Sequence, residues 1–289
     1  MIQKKFLVSI IMNCYNGDKF INKSIASILN QSYKNWELIF WDNNSNDDSA
    51  KIVKKYDDKR IKYYRSFTHE KLYKARNLAI QKSTGKFITF LDVDDTWDKN
   101  KLKIQVKKIL NSKIDVIYSN HWIQKNNTRQ LFKLKKKKYK NILSEIILDY
   151  SISILTVFMK SDIFKKKGYK FDNQFEIIGD FDFFFRISKS HKFEYISIPL
   201  ATYNIHSDNL SKKKLLTEIK EFNFWIKKNK KILDKYQNNL IERNKIRMCE
   251  YLLSQNKLKF SSKEIFELKE KNLKYKFFAK IILKKLKII

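Results

Sequence analysis

Over its first 120 residues the chain alternates short apolar runs with stretches of helical spacing, which restricts the fold to an α/β layer built on a mostly parallel central sheet flanked by helices. The apolar runs lie at 6 to 12, 36 to 42, 61 to 65, 86 to 92 and 115 to 120, each the length of a strand. Between the first two, Ile21, Ile25, Ile28 and Leu29 take the i, i+4, i+7, i+8 spacing of one buried helix face, and Leu102, Val106, Ile109 and Leu110 repeat it between the last two. A helix over 73 to 83 stops before Gly85. That glycine fits the C′ position, where the lack of a Cβ lets the chain turn into the strand Phe87 to Leu91.

Residues 121 to 206 are more mixed. They hold a very basic stretch (Lys133 to Lys140), a short helix near 142 to 150, a strand through Leu155 to Met159, a helix after Gly179, and a strand-like segment Phe193 to Tyr203 with the only proline, Pro199. After His206 the chain becomes a series of Lys-rich helical patterns. In the last of these, Phe278, Ile282, Leu286 and Ile289 fall on one helical face and Lys276, Lys280, Lys284 and Lys287 on the opposite one, the pattern of a basic amphipathic helix. We divide the chain into a domain over 1–211, with halves 1–120 and 121–211, and a basic C-terminal helical region over 212–289.

With hydrophobic residues at 43% and aromatics at 15%, the chain can bury a core although 32% of it is charged, so global disorder is excluded. Lys and Arg number 62 against 30 Asp and Glu, a net charge of +32 that suits an anionic partner or simply solvated lysine-rich helix faces. Cys14 and Cys249 are too far apart for a CxxC pair, which fits a reducing compartment. The polar start Met1 to Lys5 leads into an apolar run too short for a signal peptide, and no run approaches a membrane span. These features predict a cytoplasmic protein or one peripheral to the inner face of the cytoplasmic membrane.

Ligands of open α/β sheets bind beyond the carboxyl ends of the strands. Three such ends are unusually polar: Asn13-Cys14-Tyr15-Asn16-Gly17, Asp42 to Asp48, and Asp92-Val93-Asp94-Asp95. The last set would repel itself unless a positive charge sat among its carboxylates, and an aspartate pair at i, i+2 suits Mg²⁺ or Mn²⁺, whose other ligands are water and substrate phosphates. The competing reading makes Asp95 or Asp98 the cap of a helix over 99 to 113.

These segments carry a resemblance. V-S-I-I-M-N-C-Y-N at 8 to 16, W-D-N-N-S-N-D-D at 41 to 48, A-R-N-L-A at 75 to 79 with Gly85, and F-L-D-V-D-D at 90 to 95 resemble, in order and spacing, the nucleotide-binding half of the family 2 glycosyltransferases. The resemblance implies the GT-A fold, a D-x-D metal motif and a metal-dependent, inverting transfer of a sugar, of hexosyltransferase type, from a nucleoside diphosphate sugar to a glycan hydroxyl. Asn13 and Tyr15 would lie against the base, Asp92 would reach the ribose, Asp94 would hold Mn²⁺ or Mg²⁺, and Arg76 would support the loop or the donor phosphates. Asn43 stands where the family often has an acid that accepts the N3 proton of uracil. Its amide oxygen can still accept that bond, so uridine is the expected nucleotide, while its NH₂ also suits another base edge; the bland reading is an Asx-type turn.

G-D-F-D-F-F-F-R at 179 to 186 resembles the family's E-D-x-x-x-x-x-R segment with glycine in place of the glutamate, which makes Asp180 the implied base and Asp182 the fallback. Asp180 could instead cap the helix that follows. Y-N-I-H-S-D-N-L-S at 203 to 211 resembles the family's Y-R-x-H-x-x-S-x-S pattern and makes His206 a metal or diphosphate contact. Bacterial members often act on lipid-linked glycans in surface polysaccharide synthesis, so the basic tail is read as a contact with an anionic membrane, and no nucleic acid partner is expected. The rival readings are a nucleotidyltransferase, disfavoured by a lone Gly17 after the first strand, and a polyanion-binding scaffold with a degenerate transferase fold, disfavoured by the acidic loops.

Overall fold

A computed structural model describes residues 6–132, 141–207, 209–257, 265, 267–269 and 271–285. The basic stretch Lys133 to Lys140 therefore lies outside the described residues. The chain forms two units, Met1–Ser207 and Asp208–Ile289.

In the first unit the elements follow the order β1 (Val8–Cys14), α1 (Asp18–Leu29), β2 (Trp36–Asp42), α2 (Ser49–Lys54), β3 (Ile61–Arg65), α3 (Leu72–Gln81), β4 (Phe87–Phe90), β5 (Thr96–Trp97), α4 (Lys101–Leu110), β6 (Val116–Lys125), β7 (Thr128–Leu131), α5 (Ile142–Asp149), β8 (Phe158–Lys160), α6 (Asp162–Lys165), α7 (Gly179–Ile187) and β9 (Phe193–Ile205). The strands make one sheet ordered β3-β2-β1-β4-β8-β6-β9-β5, with β7 paired to β6. β3, β2, β1 and β4 are mutually parallel. β8 runs antiparallel to both β4 and β6, and β9 runs parallel to β6. The sheet is thus mixed, yet β1 to β4, β6 and β9 all point their carboxyl ends at one edge, where the polar loops gather.

β1 and β2 are buried along their whole length because layers cover both faces, as continuous apolar runs require. The predicted helix face is borne out at Ile21, Ile25 and Ile28, and at Leu102, Val106 and Ile109, all buried in one cluster; Leu110, in contrast, is exposed. The expected strand at 155 to 159 begins instead as a 3₁₀ turn over Ile154–Thr156, with the Thr156 N–H and hydroxyl both donating to the Ser153 carbonyl.

Gly85 has a different reason from the one its position suggested. α3 ends at Gln81 with a right-handed Lys82 cap, and Gly85 does not adopt positive φ. A Cβ there would stand 2.6 Å from Ser9 Oγ and 2.7 and 2.8 Å from the Ser9 nitrogen and Leu7 oxygen, so the glycine permits close backbone approach. Beneath it the buried Glu37 carboxylate accepts from Ser9 Oγ (2.5 Å), Thr84 N (2.6 Å) and Thr84 Oγ1 (2.9 Å) and pairs with Lys62 (2.6 Å). Lys101, at the start of α4, is also fully buried; its Nζ donates to Thr89 Oγ1 and Gln105 Oε1 and lies 4.1 Å from the Trp97 ring centre.

The second unit is helical: α8 (Leu210–Lys213), α9 (Leu215–Lys228), α10 (Lys230–Leu233), α11 (Gln237–Ser254) and α12 (Lys271–Lys285). α9 buries Ile219, Phe222, Trp225 and Ile226, and Arg247 of α11 pairs with its Glu218 at 2.6 Å. α12 packs through Phe277 and Ile281 against Cys249, Leu253, Ile265 and Leu268, with Phe278 at the edge of that cluster. Its buried face is therefore turned by one residue from the expected Phe278–Ile282 face, and Ile282 is exposed with Tyr275. Leu286, Lys287 and Ile289 lie outside the described residues. Among the described residues no helix is long and apolar enough to cross a membrane.

Candidate active site

At the convergent edge, the loops after β1 and β2 are laced to each other. Asn16 and Asn44 adopt the left-handed conformation that asparagine tolerates. Ser45 Oγ accepts from Asn16 N, Asn16 Oδ1 from Asn46 N, and Asp47 Oδ2 from Asp18 N, each at 3.0 Å. Asp42 is buried, its carboxylate accepting from Ser45 N at 2.7 Å and from the Tyr63 hydroxyl at 2.6 Å. Much of the polar loop at 42 to 48 is thus occupied in holding its own shape.

Asn13 and Tyr15 differ. The Asn13 amide is buried with neither its oxygen nor its nitrogen hydrogen-bonded. Tyr15 is 50% exposed, and its ring lies 4.0 Å from that of His69. Asn43 sits alongside and clasps the following loop: its Nδ2 donates to the Glu70 carbonyl at 2.7 Å and its Oδ1 accepts from the Glu70 N–H at 3.1 Å. His69 Nδ1 lies 3.3 Å from the Asn43 carbonyl. The Asn43 side chain is a two-point latch on the loop that carries His69.

The D-V-D-D turn follows β4. Antiparallel pairing of Thr96 with Thr202 brings it beside the end of β9. Asn204 Nδ2 donates to the Asp94 carbonyl at 2.7 Å, and Asn204 N donates to Asp95 Oδ1 at 2.9 Å. Asp95 is buried and held by its own turn, and burial pushes its carboxyl well above the usual range. Asp94 Oδ2 meets His206 Nε2 at 2.9 Å, and the His206 ring stacks on Phe20. Burial, with the charge of Asp92, raises the Asp94 carboxyl above its ordinary range against the pull of His206. Asp92 turns the other way, to Arg76 Nη2 at 2.9 Å. Arg76 is only 2% exposed and also lies over the rings of Tyr73, Phe90 and Phe171. The N-cap position of α4 is Asn100, with no side-chain cap, and Asp98 Oδ1 accepts from Asn100 N just ahead of the helix, so neither Asp95 nor Asp98 caps it.

One turn of α3 before Arg76, Tyr73 reaches the start of α7. Its hydroxyl lies 2.7 Å from the Ile177 carbonyl and 3.1 Å from Asp180 Oδ1. Asp180 also accepts from Phe181 N at 2.8 Å and from the Tyr150 hydroxyl at 3.1 Å. Burial raises its carboxyl, opposed by these bonds and by Arg76. Asp182, the fallback, is committed to an ion pair with Arg186 at 2.8 Å.

Four contributors were missed from sequence. His69 and Tyr150 give no local signal, because only the folded loops bring them to Asn43 and Asp180. Tyr73 stands at i−3 from Arg76 and Asn204 at i−2 from His206, spacings that place each on its partner's helix or strand face and could have flagged them.

A sheet with strand ends converging on an acidic turn, a histidine and a separate half-buried aspartate has the architecture of a GT-A nucleotide-sugar transferase. Residues 9–184 match the family model Glycosyl transferase family 2, and the chain belongs to that family of enzymes. It is 42% identical over 123 residues to the UDP-Glc:alpha-D-GlcNAc-diphosphoundecaprenol beta-1,3-glucosyltransferase WfgD of Escherichia coli, a match covering 43% of this chain and about half (49%) of that enzyme. It is 33% identical over 242 residues to an uncharacterized glycosyltransferase of Methanocaldococcus jannaschii, covering 78% of this chain and 81% of that one. In fold it resembles Staphylococcus aureus TarS 1-349 in complex with UDP-GlcNAc, with a TM-score of 0.64, 19% identity, and coverage of 95% and 81%. The mannosyltransferase PcManGT of Pyrobaculum calidifontis, in complex with GDP-Man and Mn²⁺, gives 0.58 at 15% identity, with coverage of 76% and 64%.

Proposed function

We propose that this glycosyltransferase moves a sugar from a uridine diphosphate sugar to a hydroxyl of a lipid-linked glycan, inverting the anomeric centre, with Asp180 as base. The observation that carries the reading is the shared support of α3. Within one turn, Arg76 grips Asp92 of the D-x-D segment and Tyr73 touches Asp180, so a donor-binding acid and a half-buried aspartate of raised pKa flank a single element. A base must take the acceptor proton as its oxygen attacks, and a raised carboxyl suits that task near neutral pH. The acceptor oxygen bonds to the anomeric carbon, the bond from that carbon to the diphosphate oxygen breaks, and the proton passes to Asp180. Attack opposite the leaving group inverts the centre.

The donor side rests on Asn13, Tyr15 and Asn43. An unpaired buried amide costs about 1 to 3 kcal/mol per group unless a partner arrives, and the nucleotide base is the partner we assign to Asn13. Tyr15 and His69 supply a stacking surface. With one N–H of its NH₂ given to the Glu70 carbonyl and the nitrogen also facing His69 Nδ1 at 3.4 Å, Asn43 is left chiefly an oxygen lone pair to offer, which favours a base edge that donates, as uracil N3–H does. WfgD uses UDP-Glc according to its name and TarS has been seen with UDP-GlcNAc, which supports the same donor class here.

Asp94 and His206 would hold Mn²⁺ or Mg²⁺. Among the described residues no three metal-binding side chains converge, but one carboxylate and one imidazole fit an ion whose other positions are filled by water and diphosphate oxygens. When bound, the ion would neutralise charge on the departing diphosphate. The lysine-rich second unit would rest on an anionic membrane surface, where the lipid-linked acceptor resides.

Asp94→Ala and Asp180→Asn test the assignments. Titration calorimetry with UDP-glucose and Mn²⁺, alongside turnover on a GlcNAc-diphospholipid, should show lost metal-dependent donor binding in the first, and intact binding without transfer in the second. Unchanged donor affinity in the first, or full turnover in the second, defeats the corresponding role.

A further inference from the structure

A carboxylate offers about four lone-pair positions to donors. For Asp180, Oδ1 takes the Phe181 N–H at 2.8 Å and faces the Tyr73 hydroxyl at 3.1 Å, while Oδ2 takes the Tyr150 hydroxyl at 3.1 Å. Among the described residues these three contacts fill three of the four positions. We propose that Tyr73 and Tyr150 are positioning residues that fix the Asp180 carboxylate so that one lone pair of Oδ2 is the atom that receives the acceptor proton. The inference rests on the reading of Asp180 as the base.

The glycine that departs from the family's acidic pair is what makes the arrangement possible. A Cβ at Gly179 would stand 2.4 to 2.7 Å from carbons of the Tyr73 ring, so any side chain there would expel that ring from its place beside Asp180. The ring is fixed on its other side by stacking on Phe171 at 5.5 Å, with the Arg76 guanidinium 5.5 Å from its centre. Tyr150 is held edge-on to Phe181 at 5.2 Å. The two tyrosines reach Asp180 from α3 and from the segment after α5, so both hydroxyls come from outside α7, the helix that carries the carboxylate.

The tyrosines are not equivalent. Tyr73 has one proton and two acceptors, with the Ile177 carbonyl the nearer at 2.7 Å, so Asp180 receives only a share of that bond. Tyr150 gives its proton to Oδ2 alone among the contacts of the described residues. The charged groups around the carboxyl are Arg76 on α3, which favours its ionised form, and Asp182 on α7, which is neutralised by Arg186. Burial raises the carboxyl and the donors restrain it.

The test is a ¹³C titration of the full chain labelled at aspartate Cγ, with the Asp180 resonance assigned by its loss in Asp180→Asn. Tyr73→Phe and Tyr150→Phe keep the rings and remove only the hydroxyls. A hydrogen bond to a charged group is worth about one pH unit of midpoint. Tyr150→Phe should therefore raise the Asp180 midpoint by about one unit and Tyr73→Phe by less. The acid limb of kcat/KM for UDP-glucose and a GlcNAc-diphospholipid should move the same way, with kcat about tenfold lower and donor KM unchanged. Midpoints unmoved in both variants overturn the proposal, and so does a larger rise in Tyr73→Phe than in Tyr150→Phe. Should Asp180→Asn retain turnover, the assignment of the base fails, while the titration still decides whether the hydroxyls hold the carboxyl.

Discussion

Asparagine at 43 invites the substitution Asn43→Asp, which restores the acid that the family often carries there. The structure predicts the opposite of a gain. Aspartate keeps the contact to Glu70 N–H, loses the 2.7 Å donation to the Glu70 carbonyl, and sets a carboxylate oxygen against that carbonyl. The lost bond is worth about 1 kcal/mol and the new repulsion about as much, so the released loop gains about 2 kcal/mol over the latched one. His69 leaves its place on Tyr15 in that state, and apparent nucleotide affinity falls with the latched fraction, by up to about thirtyfold. Calorimetric titration of UDP into wild type and variant measures it directly. UDP binding to Asn43→Asp as tight as, or tighter than, wild type would refute the latch and make residue 43 chiefly a reader of the base.

Three further outcomes follow from the first unit. Burial alone would raise Glu37, but Lys62, Ser9 and Thr84 outweigh it and hold the carboxyl below its ordinary range. Its contribution is therefore full above about pH 4.3 and lost as pH falls through the depressed folded value. Glu37→Gln should cost about 3 kcal/mol in urea denaturation at pH 7, with the gap closing below about pH 4. Gly85→Ala should cost about 3 kcal/mol by the same assay, because its Cβ meets backbone atoms of β1 and the residue before it; a loss under about 1 kcal/mol would mean the strand shifts freely. Burial drives the Lys101 ammonium well below its usual range, so the native state releases that proton before the unfolded state does, and stability rises with pH. Tm measured from pH 7 to about 9.5 should climb for wild type relative to Lys101→Met, and parallel curves would show that the lysine stays charged.

The parallel half of the sheet was legible because β1 and β2 are covered on both faces and read as nearly continuous apolar runs; the span at 36 to 42 matches β2, and that at 61 to 65 matches β3, a half-buried edge strand. The antiparallel part was not, since β8 is only three residues long and owes its place to β4 and β6 rather than to its own pattern. α12 was misread by one residue because its lysines and apolar residues allow neighbouring faces, and only its packing partners Cys249, Leu253, Ile265 and Leu268 decide between them. At the candidate site, contiguous motifs announced Asp92, Asp94 and Asp180. Their partners Arg76, His206, Tyr73 and Tyr150 come from distant segments, and the pairings Asp92–Arg76, Asp94–His206 and Asp180–Tyr150 are properties of the folded chain. Gly85 shows the same limit, for a glycine needed by a neighbouring strand looks in sequence like one needed by a turn.

The most direct test of the account is calorimetric binding of UDP, GDP, CDP and ADP, each with and without Mn²⁺, to wild type and Asp94→Ala. UDP should bind tightest, Mn²⁺ should strengthen that binding at least about tenfold, or about 1.4 kcal/mol, and Asp94→Ala should erase the gain. Preference for another nucleotide would contradict the reading of the base site, and UDP binding indifferent to Mn²⁺ in wild type would contradict the role given to Asp94 and His206.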